Sequence, residues 1–118
     1  MKRLGWILVS VLGLGCTDTI RTPKGVYGHE QMQNILWDML LADRYATLYL
    51  QKDSLRRDVK KETFALYEQV FALHHTNREA FLKSFRYYLG RPDLTQVMFD
   101  TLAIRAGKTR EELFRKFQ

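Results

Sequence analysis

From His29 onward apolar residues recur every three or four positions, and nowhere do they alternate over a useful length. That spacing predicts helices and no strands. The first helix is expected over about residues 29–50. Met32, Ile35, Leu36, Met39, Ala46 and Leu50 share one face, while Trp37, Leu41, Tyr45 and Leu48 cover the opposite side. A helix apolar nearly all round is central or shared with a partner. Residues 51–59 are charged and read as a linker, with Asp53-Ser54 able to begin a short helical turn. A second helix follows over about 60–74, with Phe64, Tyr67, Val70 and Phe71 inward. The third starts near Thr76-Asn77: Thr76 and Glu79 have capping-box spacing, and Asn77 is the alternative cap. Its stripe is Phe81, Ser84, Phe85 and Tyr88, and Gly90 ends it. Pro92 suits the first position of a fourth helix, with Leu94, Val97, Met98 and Ile104 on one side and a stop at Gly107. Thr109 and Glu112 repeat the capping spacing ahead of a short tail helix carrying Leu113, Phe114 and Phe117. Short connections favour antiparallel neighbours, so the expected fold is all-α, a small antiparallel bundle of four helices plus a short C-terminal one.

The region before His29 reads differently. Lys2 and Arg3 precede an apolar stretch from Gly5 to Gly15, the layout of a secretory signal peptide. The stretch is too short to cross a hydrocarbon core of about 30 Å. Cys16, the only cysteine, stands at the cleavage junction. Gly13-Leu14-Gly15-Cys16 resembles the bacterial lipobox, in which the thiol is acylated and becomes the new N-terminus. Leu14 and Gly13 are interchanged relative to the usual order, and Leu12 stands one place early. An ordinary secretory signal with a spare thiol, or an uncleaved anchor, is the alternative. Thr17 follows the cysteine, so the aspartate that can mark inner-membrane retention is absent there, and the expected address is the outer membrane of a Gram-negative bacterium, facing the periplasm. Residues 17–28 mix Thr, Pro23, Gly25 and Gly28 and read as a tether. The expected division is residues 1–15 as signal, 16–28 as lipidated cysteine and flexible tether, and 29–118 as helical domain.

Composition narrows the field. Of 118 residues, 15 fall in the signal, which leaves 103 for one small domain with one core. The chain carries a formal +6; without Lys2 and Arg3, 17 basic residues face 13 acidic ones, a mature balance of +4. Such a surplus suits an anionic leaflet, an acidic partner or plain solvation. With Cys16 acylated no thiol remains for a disulfide, so packing alone holds the fold.

The chain resembles the domain of unknown function 4296, a group of bacterial envelope lipoproteins, over nearly the whole mature region. The resemblance rests on Pro23-Lys24, Met32, Ile35-Leu36, the stretch 38–43, Tyr67, Val70-Phe71 and His74. Its most specific part is Phe81, Ser84, Tyr87-Tyr88 and Pro92. The family often has His where Leu40 stands and Gly where His75 stands. It implies a helical fold and an envelope location, and no assigned activity.

Nothing in the chain spells out a reaction. His74 and His75 are adjacent, so their rings point about 100° apart on a helix and do not converge on a metal; His74 is expected to be packed and hydrogen-bonded. Asp43 falls in the middle of the first helix's main face, a candidate buried acid with Arg86, Arg44 or the Tyr87 and Tyr88 hydroxyls as partners. Ser84 lacks nucleophile-elbow glycines and suits close helix approach. The cluster Phe85-Arg86-Tyr87-Tyr88 with Arg91 combines residue types enriched at protein interfaces, and Trp37 and Tyr45 are further interface candidates. No catalytic group, metal or cofactor is expected, and no nucleic-acid partner. The expected role is to bind another envelope component, with acyl chains on Cys16 holding the membrane. Rival readings are a carrier of a lipid or small apolar ligand between the helices, and an enzyme using Asp43.

Overall fold

The computed structural model describes residues 21–55 and 57–118. Four helices account for most of them: α1 (His29–Tyr45), α2 (Val59–Leu73), α3 (Arg78–Leu89) and α4 (Pro92–Lys116). Among the described residues there is no strand. The fold is a small all-α one.

Local chemistry explains most of the boundaries. The Asp58 side chain caps α2 by accepting the Lys61 N–H at 3.1 Å. Of the two caps open for α3, Asn77 is used, its Oδ1 accepting from the Ala80 N–H at 2.9 Å. Pro92 occupies the first turn of α4. α2 stops in a Schellman arrangement: the Thr76 N–H donates to the Phe71 carbonyl at 2.9 Å and the His75 N–H to the Ala72 carbonyl at 3.1 Å. This motif needs a left-handed residue, and His75 supplies it at φ 52°. An L side chain is disfavoured there. His75→Gly is therefore expected to stabilise the fold by about 1 kcal/mol, read as a rise in the urea midpoint at unchanged slope.

α1 gives way to a π-helical turn (Ala46–Leu50) and a 3-10 turn (Gln51–Asp53), so the helical path runs slightly past the expected end. α1 and α2 are antiparallel, with Asp38 beside His74 and Asp43 beside Tyr67. The main core lies at one end of this pair. Met32, Ile35 and Leu36 meet Val70 and Phe71, Phe81 and Tyr88 of α3, and Leu94, Met98 and Leu102 of α4. The rings of Phe71 and Phe81 stand 5.3 Å apart, and Phe85 stacks on Phe81 at 5.6 Å. Ser84 is fully buried, the small residue that lets the segment before α1 approach α3. At the other end Ala46 and Leu50 are buried outside that cluster.

Four expectations need correction. The tail helix does not exist as a separate element: α4 runs on through Gly107, and Thr109 donates back to the Arg105 carbonyl at 3.0 Å instead of capping. A Cβ at Gly107 would meet nothing within 4 Å, so the glycine serves no close approach. Its flanks are good helix formers that outweigh the cost of about 1 kcal/mol for one interior glycine. Gly107→Ala is expected to recover most of that cost, seen as added helicity by circular dichroism and a higher melting temperature. Val97 and Ile104 are exposed, whereas Leu102 is buried, because α4 presents only Leu94, Met98 and Leu102 to the core. Phe64, expected inward, is also exposed, at an end of α2 where α3 and α4 contribute nothing to the main cluster.

The fourth correction concerns the tether. Its last part is not free. Pro23 to Val26 form a turn closed by the Val26 N–H on the Pro23 carbonyl at 3.1 Å, with Gly25 at φ 81°. Tyr27 is then bound at three atoms. Its N–H donates to Ser84 Oγ at 2.9 Å, its carbonyl accepts from the Tyr88 hydroxyl at 2.7 Å, and its hydroxyl bonds the Thr76 hydroxyl. The strap over 22–28 thus belongs to the domain, because a buried tyrosine and a buried serine present polar atoms that require partners. The expected signal segment and Cys16 lie outside the described residues.

Candidate interaction surface

α1 leaves one side uncovered. Trp37 is half-buried, and Leu41, Tyr45 and Leu48 further along are 48%, 47% and 42% exposed. Four-residue steps keep Trp37, Leu41 and Tyr45 on one face of α1, and Leu48 follows in the π-helical turn, a stripe of about 16 Å at helical rise. The Tyr49 ring adds to its far end, 5.1 Å from Tyr45. At the near end the Arg105 guanidinium lies over the Trp37 ring at 4.3 Å, and its Nη1 donates to Asn34 Oδ1 at 3.3 Å. Stacking of this kind holds a flat, amphipathic ring in place. The face exists because α2 packs along the other side of α1, while α3 and α4 reach only its first half.

The remaining candidates lie elsewhere. Tyr88 is 1% exposed and belongs to the core, so it adds nothing to a surface. Burial pushes its hydroxyl pKa up, with the neighbouring Tyr87 adding to the effect, so the group stays a donor. Tyr87 is half-buried, with its ring edge-on to Tyr88 at 5.4 Å. Arg91 grips Asp93 through two nitrogens at 3.2 and 3.0 Å and reaches the Tyr87 hydroxyl at 3.5 Å. That bidentate bond holds the Asp93 carboxyl below the usual range. Arg86 is exposed. Arg86, Tyr87 and Arg91 thus form a corner at the α3–α4 junction, separate in the fold from the α1 stripe.

Asp43 is not a buried acid. The face that carries it has left the core by that point, and the residue is exposed. It accepts a hydrogen bond from the Tyr67 hydroxyl. That bond, with lesser help from burial and the carboxylate charge, pushes the Tyr67 pKa from 10.0 up to about 12. A raised pKa on an acid favours the protonated form in the fold. The bond's contribution to stability is therefore whole below pH 10 and lost as pH climbs towards 12. The stability gap between the native chain and Tyr67→Phe is expected to narrow across that window, as urea titrations at stepped pH would show.

His74 is packed and hydrogen-bonded, its Nε2 lying 2.6 Å from Asp38 Oδ2. This is a two-residue clasp between α1 and α2. Among the described residues no three His, Cys, Asp or Glu gather as metal ligands would. A shallow open depression lies at the start of α2, lined by Asp58, Lys60, Lys61 and Phe64. No helix among the described residues is long and apolar enough to cross a membrane.

Leu41, Leu48 and Tyr49 extend the surface beyond the residues singled out from sequence. Leu41 and Leu48 were visible as the second apolar set on the first helix, but nothing in the spacing said which set would stay uncovered.

The model of the family described as Domain of unknown function (DUF4296) matches residues 23–112. The chain belongs to that family. The match begins at Pro23, the first residue of the turn that docks the strap on α3. No curated protein and no solved structure matches the chain.

Proposed function

We propose that this chain is a lipid-anchored module of the Gram-negative cell envelope, held by acyl chains on Cys16 at the outer membrane and facing the periplasm. It acts without catalysis by binding another envelope protein along the uncovered side of α1. The observation that carries the reading is the exposed stripe Leu41, Tyr45 and Leu48, which runs along the end of α1 and the π-helical turn after it, with the half-buried Trp37 at its base. Contiguous exposed apolar surface of this kind is typical of interaction sites, and tyrosine and tryptophan are the residues that dominate their energetics. Packing supports binding over carriage of a ligand: Tyr88, Met32, Ile35, Met98 and Ser84 are all under 2% exposed in the interior between the helices.

A photo-crosslinking side chain at Leu41 or Tyr45, activated in intact cells, tests this. A discrete adduct is expected from both positions, lost when Leu48→Asp is added, and absent from Glu68 on the exposed side of α2. Failure to form a discrete adduct from Leu41 and Tyr45 in a correctly located protein would remove the reading.

A further inference from the structure

The excess positive charge of the chain is not spread evenly. Between Cys16 and Ile104, 12 basic residues meet 11 acidic ones, whereas from Arg105 onward five basic residues meet two acidic ones. Three of the four surplus charges of the mature chain therefore sit in its last 14 residues. Those residues are the part of α4 beyond its last core contact at Leu102, together with Phe117 and Gln118, and all of them but the half-buried Gly107 are exposed. The Arg105 contacts with Trp37 and Asn34 pin the base of this segment to α1.

Charge and apolarity are segregated around it. Continuity through Gly107 keeps one helical register, and steps of about 100° place Ala106, Leu113, Phe114 and Phe117 within one arc. Lys108, Glu111, Glu112, Arg115 and Lys116 occupy the other arc. Arg110 falls inside the apolar arc, where its long stem can lie along the surface and carry the guanidinium to a polar boundary. Leu113, Phe114 and Phe117 are 51%, 65% and 86% exposed. A helix with aromatic and leucine side chains on one face and a charged opposite face of net positive sign lies in the plane of a bilayer interface.

We infer that the end of α4 with its C-terminal cap, Ala106 to Phe117, docks flat on an anionic lipid surface. The charge selects this occupant over a second copy of the chain. Two copies would bring two segments of net +2 together and face Arg110 with its like, whereas anionic headgroups attract every cation of the segment. The inference goes beyond partner binding by α1 and does not need acylation of Cys16.

The test uses the full chain with Cys16→Ser, so that no acyl group contributes, and an environment-sensitive fluorophore on Ala106→Cys. With vesicles of phosphatidylglycerol and phosphatidylethanolamine the label is expected to shift to the blue and be quenched by a lipid-borne quencher. Partitioning is expected to be on the order of ten- to a hundredfold weaker on phosphatidylcholine vesicles, and to weaken with added salt. The same label on Glu112→Cys, in the polar arc, should stay in water. Phe114→Ser with Phe117→Ser should abolish the Ala106 shift, and both sites are exposed enough to leave the core intact. A label at Ala106 that stays in water on the anionic vesicles, or responds equally to both lipids, overturns the inference. A blue shift without vesicles that grows with protein concentration also overturns it, assigning the face to a second copy. Neither result touches the adducts expected from α1.

Discussion

Tyr88→Ala is expected to cost about 3–5 kcal/mol and to lower the melting temperature by about 15–30 °C. The ring is 1% exposed and is among the largest fully buried side chains. It stands edge-on to Tyr87 and to His29, the latter at 6.3 Å, at the meeting of α1, α3 and α4. Truncation leaves a cavity that the surrounding helices cannot close, and it strips the Tyr27 carbonyl of its donor. Tyr88→Phe separates the two effects: it keeps the ring and removes only the hydroxyl, so about 1–2 kcal/mol should be lost. In that variant the loss should be local, seen as faster amide exchange through residues 22–28 while α1 and α2 stay protected. A cost below 2 kcal/mol for Tyr88→Ala in denaturant titrations would mean that the ring does not hold the core together.

The helices were legible because their apolar faces repeat and their ends carry caps. Pro92, Gly90 and the Thr76-Asn77 pair each marked a boundary that the fold uses. What spacing could not supply was how far each helix is covered. Periodicity places Asp43 among apolar neighbours in projection, but the bundle is four helices deep only near Met32 and Ile35, so the same face is solvent-exposed by residue 43. Phe64 was misplaced for the same reason, whereas Val97 and Ile104 fell on the wrong side of α4, whose core stripe is Leu94, Met98 and Leu102. Glycine misled twice, in opposite senses. Gly107 reads as a stop although α4 passes through it, while the left-handed position that ends α2 carries His75, where no local signal predicts positive φ.

The strap was missed because its signals are those of a loop. Val26 and Tyr27 form too short an apolar run to show a period, and Pro23, Gly25 and Gly28 mark turns wherever they occur. Its anchoring depends on polar atoms of Ser84, Tyr88 and Thr76 about 50 to 60 residues away, a pairing that appears only once α3 is in place. The interaction surface was half legible for a related reason. Trp37 and Tyr45 were evident as an apolar set without an obvious use, whereas the Tyr87-Tyr88 pair looked like one feature and divides between a half-buried ring and a core one.

Cys16→Ser is expected to change the protein's attachment from irreversible to salt-sensitive. Each buried methylene of an acyl chain contributes about 0.8 kcal/mol, so two or three chains hold through high salt and alkaline washing. The end of α4 offers a weaker, charge-dependent contact that salt screens over a Debye length of about 8 Å. Membranes from cells producing the native chain should keep it through both washes, with mass spectrometry finding an acylated N-terminal Cys16. Cys16→Ser should release nearly all of the protein into high salt, and adding Phe114→Ser and Phe117→Ser should release it at low salt as well. A native chain whose N-terminus mass spectrometry finds uncleaved and unacylated would point instead to an N-terminal anchor. That outcome would remove the acyl attachment while leaving the α1 stripe to be judged by its own adducts, because the strap at 22–28 fixes the domain whatever precedes it.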